Sequence, residues 1–167
     1  RITKMTHPDL QLRLVPFRGE YYKLKKEKNN LVNALIYPVP DPAFPFLGVH
    51  FTRMINGERE CGPNAVLSFK REGYTKTSFN LLDTFETFTW NGFHKLIKKH
   101  WRMGLGEFYR SYSKKAFARA LNKLIPKVTA DDLAPGGAGV RAQACLKDGI
   151  SILYLLIGAE SRTNLFW

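Results

Sequence analysis

Residues 35–69 read LIYPVPDPAFPFLGVHFTRMINGERECGPNAVLSF and predict two antiparallel strands joined by a tight turn. The pair Asn56-Gly57 is a strong hairpin signal, because both residues tolerate the positive φ that a tight turn requires. His50 would lie in the first strand and Gly62-Pro63-Asn64 in or after the second. These residues interrupt the simple alternation of a strand pair, and the interruption predicts a functional site at the hairpin.

The chain has 167 residues, of which 44% are hydrophobic and 13% aromatic, which is enough for one globular domain with a core. No run approaches the roughly 18 apolar residues of a membrane span.

The first residues show neither an initiating Met nor a signal-peptide pattern, so we expect the start to be internal to a longer protein. Cys61 and Cys145 lack metal-ligand spacing, which favours a reducing compartment and a cytoplasmic location, with peripheral contact to the inner membrane as an alternative.

The formal net charge is +12, from 26 Lys and Arg against 14 Asp and Glu. This balance indicates an anionic partner, which could be nucleic acid, a lipid surface or a multiply charged small substrate. Basic residues alternate with aromatic ones over residues 93–123, but no recognised nucleic-acid-binding motif accompanies them, which disfavours that partner. A basic helix over residues 93–102 could rest on an anionic membrane, and a solvated helix face is the alternative.

The order of predicted elements favours an α+β fold, a mixed and largely antiparallel sheet with helices packed on one side. We expect strands over residues 15–24 and 31–39, and the prolines of residues 38–45 predict a stiff loop after them. Apolar residues at helical spacing then predict helices over 81–88, 93–102 and 107–125, with Gly104 and Gly106 as the interruption. A turn at Pro135-Gly136-Gly137 would lead into a last strand over 139–145, which carries Arg141 and Gln143 on one face.

Four segments carry a family resemblance: VPFRGEYYKL (15–24), residues 35–74, GLGEFYRSYSK (104–114) and AGVRAQACLKDG (138–149). Together they resemble the substrate-domain half of FAD-dependent L-2-hydroxyglutarate oxidases and dehydrogenases, within the D-amino-acid-oxidase-like flavoproteins. The resemblance implies oxidation of L-2-hydroxyglutarate to 2-oxoglutarate, with FAD as cofactor and oxygen or a quinone as electron acceptor. The substrate would be a small dicarboxylate.

The same resemblance implies a division of the chain. Residues 1–14 would end a preceding FAD-domain segment, residues 15–130 would form the substrate-binding domain, and residues 131–149 would return toward the FAD domain. Residues 150–167 are atypical of the family and suggest a truncated or frame-shifted tail. No G-x-G-x-x-G unit of the kind that holds the FAD pyrophosphate occurs in the sequence, so we expect this chain alone to bind FAD poorly and to be inactive.

Oxidation of a 2-hydroxy acid requires a cation for the carboxylate and a base for the hydroxyl proton. The resemblance makes Arg141 a bidentate carboxylate clamp, for which a planar guanidinium is suited. The alternative is a structural Arg paired with Asp132 or Asp148. His50 is the candidate base, because imidazole titrates near neutral pH; the alternative is a buried, hydrogen-bonded histidine.

The remaining candidates concern the second carboxylate and the flavin. Cations, hydroxyls or amides could hold the distal carboxylate, and the candidates are Arg18, Tyr21, Tyr22, Arg53, Asn64 and Lys70. Their alternative is a place on the sheet surface or in an aromatic core. Gly19 would let a flavin ring or the substrate approach the backbone. Asp148-Gly149 could lie near the isoalloxazine, or could form an ordinary reverse turn.

Overall fold

The computed structural model describes residues 11–40, 47–149 and 151–152. Its strands are β1 (Leu12–Leu24), β2 (His50–Arg53), β3 (Arg59–Gly62), β4 (Val66–Leu67), β5 (Leu133–Leu146) and β6 (Ser151–Ile152). Its helices are α1 (Leu81–Phe88), α2 (Asn91–Tyr112) and α3 (Lys114–Leu121), and short 3-10 helices cover Lys26–Leu31 and Ala130–Asp132. Most of the predicted segment 1–14, most of the proline loop and nearly all of the predicted tail lie outside the described residues.

The central strand is β1, which pairs with β5 on one side and with β3 and β4 on the other. The strand order is β2-β3-β1-β5-β6, and each strand pairing in the described ranges is antiparallel. The β1–β5 ladder runs from the Leu12–Leu146 pair to the Leu24–Leu133 pair. The predicted α+β class with a largely antiparallel sheet is therefore confirmed.

The predicted hairpin is confirmed as β2 and β3, with His50 opposite Gly62 and Arg53 opposite Arg59. The backbone N–H of Gly57 donates to the Met54 carbonyl at 3.0 Å, and Gly57 takes φ 83°. That positive φ is the reason a glycine stands there. The Asn56 side chain accepts a hydrogen bond from the backbone N–H of Glu58 at 3.1 Å, which holds the turn from within.

Two apolar clusters lie toward the two ends of β1. Near its start, Val15 packs with Phe93 and Leu96 of α2 and with Cys145 of β5. Near its end, a larger cluster joins the sheet to α3, and its buried members include Leu24, Phe51, Cys61, Phe117, Leu121 and Leu133. The helices thus pack against the sheet through both clusters. That all helices lie on one side of the sheet stays a prediction.

The predicted helix over 81–88 is confirmed as α1, whose first turn is capped by the Asn80 side chain accepting from the Asp83 N–H. The interruption at Gly104 and Gly106 is wrong. α2 runs through both glycines, with a local departure from helical geometry at His100 (φ −122°, ψ 16°). Each glycine costs a helix only about 1 kcal/mol relative to alanine, so the break falls instead at Ser113, whose side chain caps α3.

The predicted strand over residues 31–39 is also wrong. The chain forms the 3-10 helix Lys26–Leu31, and the backbone N–H of Val32 still donates to the Asn29 carbonyl. Beyond it, one isolated bridge pairs Ile36 with Phe51. Pro38 has no N–H to donate, so a ladder cannot continue in that direction.

The last predicted strand is confirmed and is longer than expected, whereas the turn at Pro135-Gly136-Gly137 is wrong because these residues lie within β5. The register of the β1–β5 ladder shifts between Glu20 and Tyr22, opposite these residues. A Cβ on Gly136 would lie 2.6 Å from the Tyr21 carbonyl oxygen. The glycine therefore serves a close approach at a strand irregularity rather than a chain reversal.

A buried polar network holds β1 to the chain that follows β3. Arg18, only 5% exposed, forms an ion pair with Glu20 at 2.8 Å and donates to the Thr75 carbonyl at 2.7 Å. The Asn64 side chain accepts from the Glu20 N–H at 2.9 Å and donates to its carboxylate at 3.2 Å. Each charge is thus compensated inside the fold, as buried charges must be.

We expect Glu20→Ala to lower the free energy of unfolding by about 3 to 5 kcal/mol, because it leaves the Arg18 guanidinium buried without its anion. Urea unfolding followed by circular dichroism would measure the loss. The matched control is Glu58→Ala, which removes a partly exposed ion pair with Lys23 and should lower the free energy of unfolding much less. Equal losses in the two variants would contradict a structural role for the buried pair.

Candidate active site on the sheet

His50 begins β2 and is half-buried. Its Nδ1 lies 3.0 Å from the Gly48 carbonyl oxygen, and its ring lies 4.3 Å from the Tyr37 ring, centroid to centroid. Burial lowers the pKa of His50, the Gly48 hydrogen bond raises it, and the positive charge of Arg141 lowers it again. The net shift is downward, so the imidazole stays neutral and able to accept a proton at lower pH than a free histidine.

Arg141 lies on β5 directly opposite Phe17 of β1 and is half-buried. Within the described ranges, no hydrogen bond or ion pair holds its guanidinium. The first structural alternative from the sequence, a pair with Asp132, does not form, because the Asp132 carboxylate accepts from Thr129 and pairs with Lys28 at 3.3 Å. A cation whose donors the described chain leaves available is suited to bind an external anion.

Arg141 and His50 are brought close enough for the charge of one to act on the proton affinity of the other. Strands β3 and β1 separate them, since β2 pairs with β3 and β5 with β1. The residue opposite His50 is Gly62, which presents no side chain between the two groups. Of the residues predicted for the site, these two are therefore within electrostatic reach of each other.

Arg18 and Asn64, predicted as substrate contacts, both take part in the buried network around Glu20. Asn64 is 2% exposed, and both polar atoms of its side chain have partners on Glu20. The charge of Arg18 is neutralised by Glu20 in the same network. Their position favours a role in holding the sheet, and as substrate contacts they stay predictions.

Tyr22 lies at the other end of β1, opposite Cys61, and packs edge-on against Phe117 with ring centroids 4.8 Å apart. Burial raises the pKa of its phenol, and the negative charge of Glu20 raises it further. Burial likewise raises the pKa of the Cys61 thiol to about 12. These groups belong to the larger apolar cluster, and Tyr22 as a substrate contact also stays a prediction.

Gly19 and Gly149, predicted to lie against the flavin, already contact the chain itself. A Cβ on Gly19 would lie 2.9 Å from the Pro63 Cβ, and one on Gly149 would lie 2.6 Å from the Lys95 Cβ of α2. Gly149 has φ 89° and, with Asp148, forms the turn after β5, in which its N–H donates to the Leu146 carbonyl. These close approaches within the chain already require a glycine at both positions, and Gly19, Asp148 and Gly149 as flavin contacts stay predictions.

A cavity of about 780 Å³ opens beside the site, between the sheet, α2 and α3. Its walls are mainly apolar and include Phe17, which neighbours Arg141, and Gly48 and Val49, which precede His50. The basic side chains of Arg110 and Lys123 also border it, and Arg110 is paired with Glu107. Both candidate groups therefore lie near its wall, although neither lines it.

Tyr37 is the site residue that the sequence did not indicate. Its ring contacts His50, yet residue 37 fell within the segment predicted as a regular strand. The consecutive apolar residues Leu35, Ile36 and Tyr37 indicated a strand but not its partner. The Ile36–Phe51 bridge supplies that partner and places Tyr37 beside His50.

No family model matches the chain. The chain is 61% identical over 140 residues to an L-2-hydroxyglutarate dehydrogenase of Indibacter alkaliphilus, which is 84% of this chain and 35% of that protein. It is 50% identical over 149 residues to a mitochondrial one of Dictyostelium discoideum (89% and 33%), and 48% identical over 163 residues to one of Escherichia coli (98% and 39%).

The chain is therefore homologous to dehydrogenases, and it spans between 33% and 39% of the length of the three relatives above. Within that class it is a homologue of the L-2-hydroxyglutarate dehydrogenases, as all three relatives are named. The family resemblance predicted from the four sequence segments is confirmed.

We expect Arg141→Met to raise the pKa of His50, because the substitution removes a positive charge that disfavours the imidazolium ion. The measurement is an NMR titration of the His50 ring protons, assigned by their loss in His50→Gln. Arg53→Met, which removes a charge elsewhere on β2, is the control and should leave that pKa in place. A His50 pKa that does not move in Arg141→Met would show that the two side chains are not coupled.

Proposed function

We propose that this chain is part of an enzyme that oxidises L-2-hydroxyglutarate to 2-oxoglutarate, and that its β2–β5 region supplies the groups that bind and deprotonate the substrate. The observation that supports the proposal most directly is the proximity of Arg141 and His50, a cation without an anionic partner among the described residues and a neutral base. The names of the relatives indicate the substrate.

Arg141 binds the carboxylate next to the hydroxyl-bearing carbon, with two parallel N–H···O hydrogen bonds that fix the orientation of the acid. His50 accepts the hydroxyl proton on Nε2, the ring nitrogen that the Gly48 carbonyl does not occupy. Oxidation also removes a hydride from the same carbon, and the sequence resemblance predicts FAD as its acceptor. The residues of this chain account for the binding and the proton transfer.

We expect His50→Ala to lower kcat by about 10² to 10⁴, the usual contribution of a general base, in a holoenzyme that contains this chain. Arg141→Met should lower kcat/KM by roughly 30-fold or more, because one partner of a charge pair is lost. Steady-state kinetics with L-2-hydroxyglutarate would measure both effects.

Two substitutions of matched type serve as controls for these kinetics. His94→Gln changes an exposed histidine of α2, and Arg119→Met an exposed arginine of α3. Neither should change kcat/KM. Wild-type kinetics in both His50→Ala and Arg141→Met would refute the assignment of the two roles.

We further propose that the enzyme contacts a membrane surface through α1 and α2, with a quinone as electron acceptor and oxygen as the alternative. Leu81, Leu82 and Phe85 of α1 are each at least 64% exposed, and α2 carries Lys95, Lys98, Lys99 and Arg102 at exposed positions. Exposed apolar and basic side chains in one region of a chain are typical of interfacial contacts. No helix in the described part of the chain is both long and apolar enough to cross a bilayer.

Co-sedimentation with vesicles tests the membrane contact. We expect binding to phosphatidylserine-containing vesicles, not to phosphatidylcholine alone, and weaker binding in Lys98→Glu/Lys99→Glu, since each basic residue near an anionic surface contributes about 1 kcal/mol. Lys25→Glu/Lys26→Glu changes the net charge equally at another exposed site and is the control. If both double variants weakened vesicle binding equally, the binding would be non-specific electrostatic attraction, and the proposed contact through α2 would be wrong.

A further inference from the structure

Tyr37 is held beside His50 by the backbone. Ile36 and Phe51 exchange two hydrogen bonds, with the Ile36 N–H donating to Phe51 at 3.0 Å and the Phe51 N–H donating to Ile36 at 2.9 Å. Phe51 is fully buried, so this bridge is anchored in the core. Tyr37 and His50 directly adjoin the bridged residues and are neighbours across it.

The two side chains make a face contact. The ring centroids are 4.3 Å apart with an angle of 32° between the planes. Tyr37 itself remains 46% exposed, so its ring shields the imidazole from solvent on one side rather than filling a core. Because Tyr37 is so exposed, it contributes little to the hydrophobic core. The main structural effect of its position is the ring contact with His50.

The Gly48 carbonyl determines the tautomer of His50. A carbonyl oxygen can only accept a hydrogen bond, so the Nδ1 atom 3.0 Å away must carry the proton. In the neutral ring, Nε2 is then left with its lone pair. Two contacts therefore define the imidazole: the carbonyl fixes the tautomer, and the Tyr37 ring limits rotation about the side-chain torsions.

We propose that Tyr37 is a positioning residue for the general base, holding the His50 ring in the orientation in which Nδ1 bonds to Gly48 and Nε2 is presented to the substrate hydroxyl. This inference rests on the function proposed above. It assigns no proton transfer to the phenol, since the contact is made by the ring.

The groups around His50 fit this role. Gly62 opposite it has no side chain, and the Tyr21 ring lies over Gly62, with Cδ1 3.2 Å from where a Cβ would be. Arg141 is the charged residue that acts on the imidazole from β5. Burial lowers the pKa of His50, so losing the Tyr37 ring should raise it toward the free value of about 6.5.

The first experiment is an NMR study of the imidazole nitrogens in the chain itself, which requires no catalysis. In the wild type, His50 should show a protonated Nδ1 and an unprotonated Nε2 above its pKa. We expect Tyr37→Ala to give a mixture of the two tautomers and a raised His50 pKa, whereas Tyr37→Phe retains the ring and should restore the wild-type signals. Tyr74→Ala, at another exposed tyrosine, is the matched control and should show no change.

The second experiment measures kinetics in a holoenzyme that contains the chain. Tyr37→Ala should lower kcat by roughly 10- to 100-fold, as misplacement of a catalytic group does, with little change in KM. Tyr37→Phe should recover most of this loss. A wild-type tautomer in Tyr37→Ala, or failure of the Phe variant to rescue, would overturn the proposal.

The outcomes separate this inference from the proposed function. If His50→Ala kept wild-type kcat, the assignment of His50 as the base would be refuted, and Tyr37 would have no role in catalysis through it. The tautomer measurement would still decide whether Tyr37 positions the ring. If His50→Ala were inactive and Tyr37→Ala fully active, the base would stand and the positioning role alone would be refuted.

Discussion

The buried ion pair between Arg18 and Glu20 is the interaction on which the arrangement of the sheet depends. Through Asn64 it fixes the segment after β3, and through the Thr75 carbonyl it fixes the loop that leads to α1. Two other parts of the chain are therefore tied to the middle of β1. Because these buried polar groups compensate one another, the network stabilises one register of these segments and penalises any other.

That fixed register brings the candidate catalytic groups together. β2 reaches the centre through β3, and Arg141 reaches it through the ladder of β5 with β1. Neither group is positioned by its neighbours in sequence alone. The electrostatic effect of Arg141 on His50 follows from the strand order, and it couples the proposed carboxylate-binding group to the proposed base.

The sequence predicted well where local patterns agree with the packing. Asn56-Gly57 marked the hairpin, and the apolar spacing around Leu81 marked α1. It failed where a distant contact outweighs a local signal: Gly136 looked like part of a turn because its partner is the Tyr21 backbone. The hydrogen bonds of Arg18 and Asn64 to their common partner Glu20 could likewise not be inferred from spacing. Tyr37 was missed for the same reason.

The length of the β1–β5 ladder has a consequence for biosynthesis. Even the paired residues that are nearest in sequence, Leu24 and Leu133, are more than 100 positions apart in the chain. At roughly 5 to 20 residues per second, β1 leaves the ribosome about 5 to 20 seconds before β5 exists. During that interval the edge of LRLVPFRGEYYKL that pairs with β5 has no partner, and its charges and Pro16 are of the type that protect strand edges against aggregation.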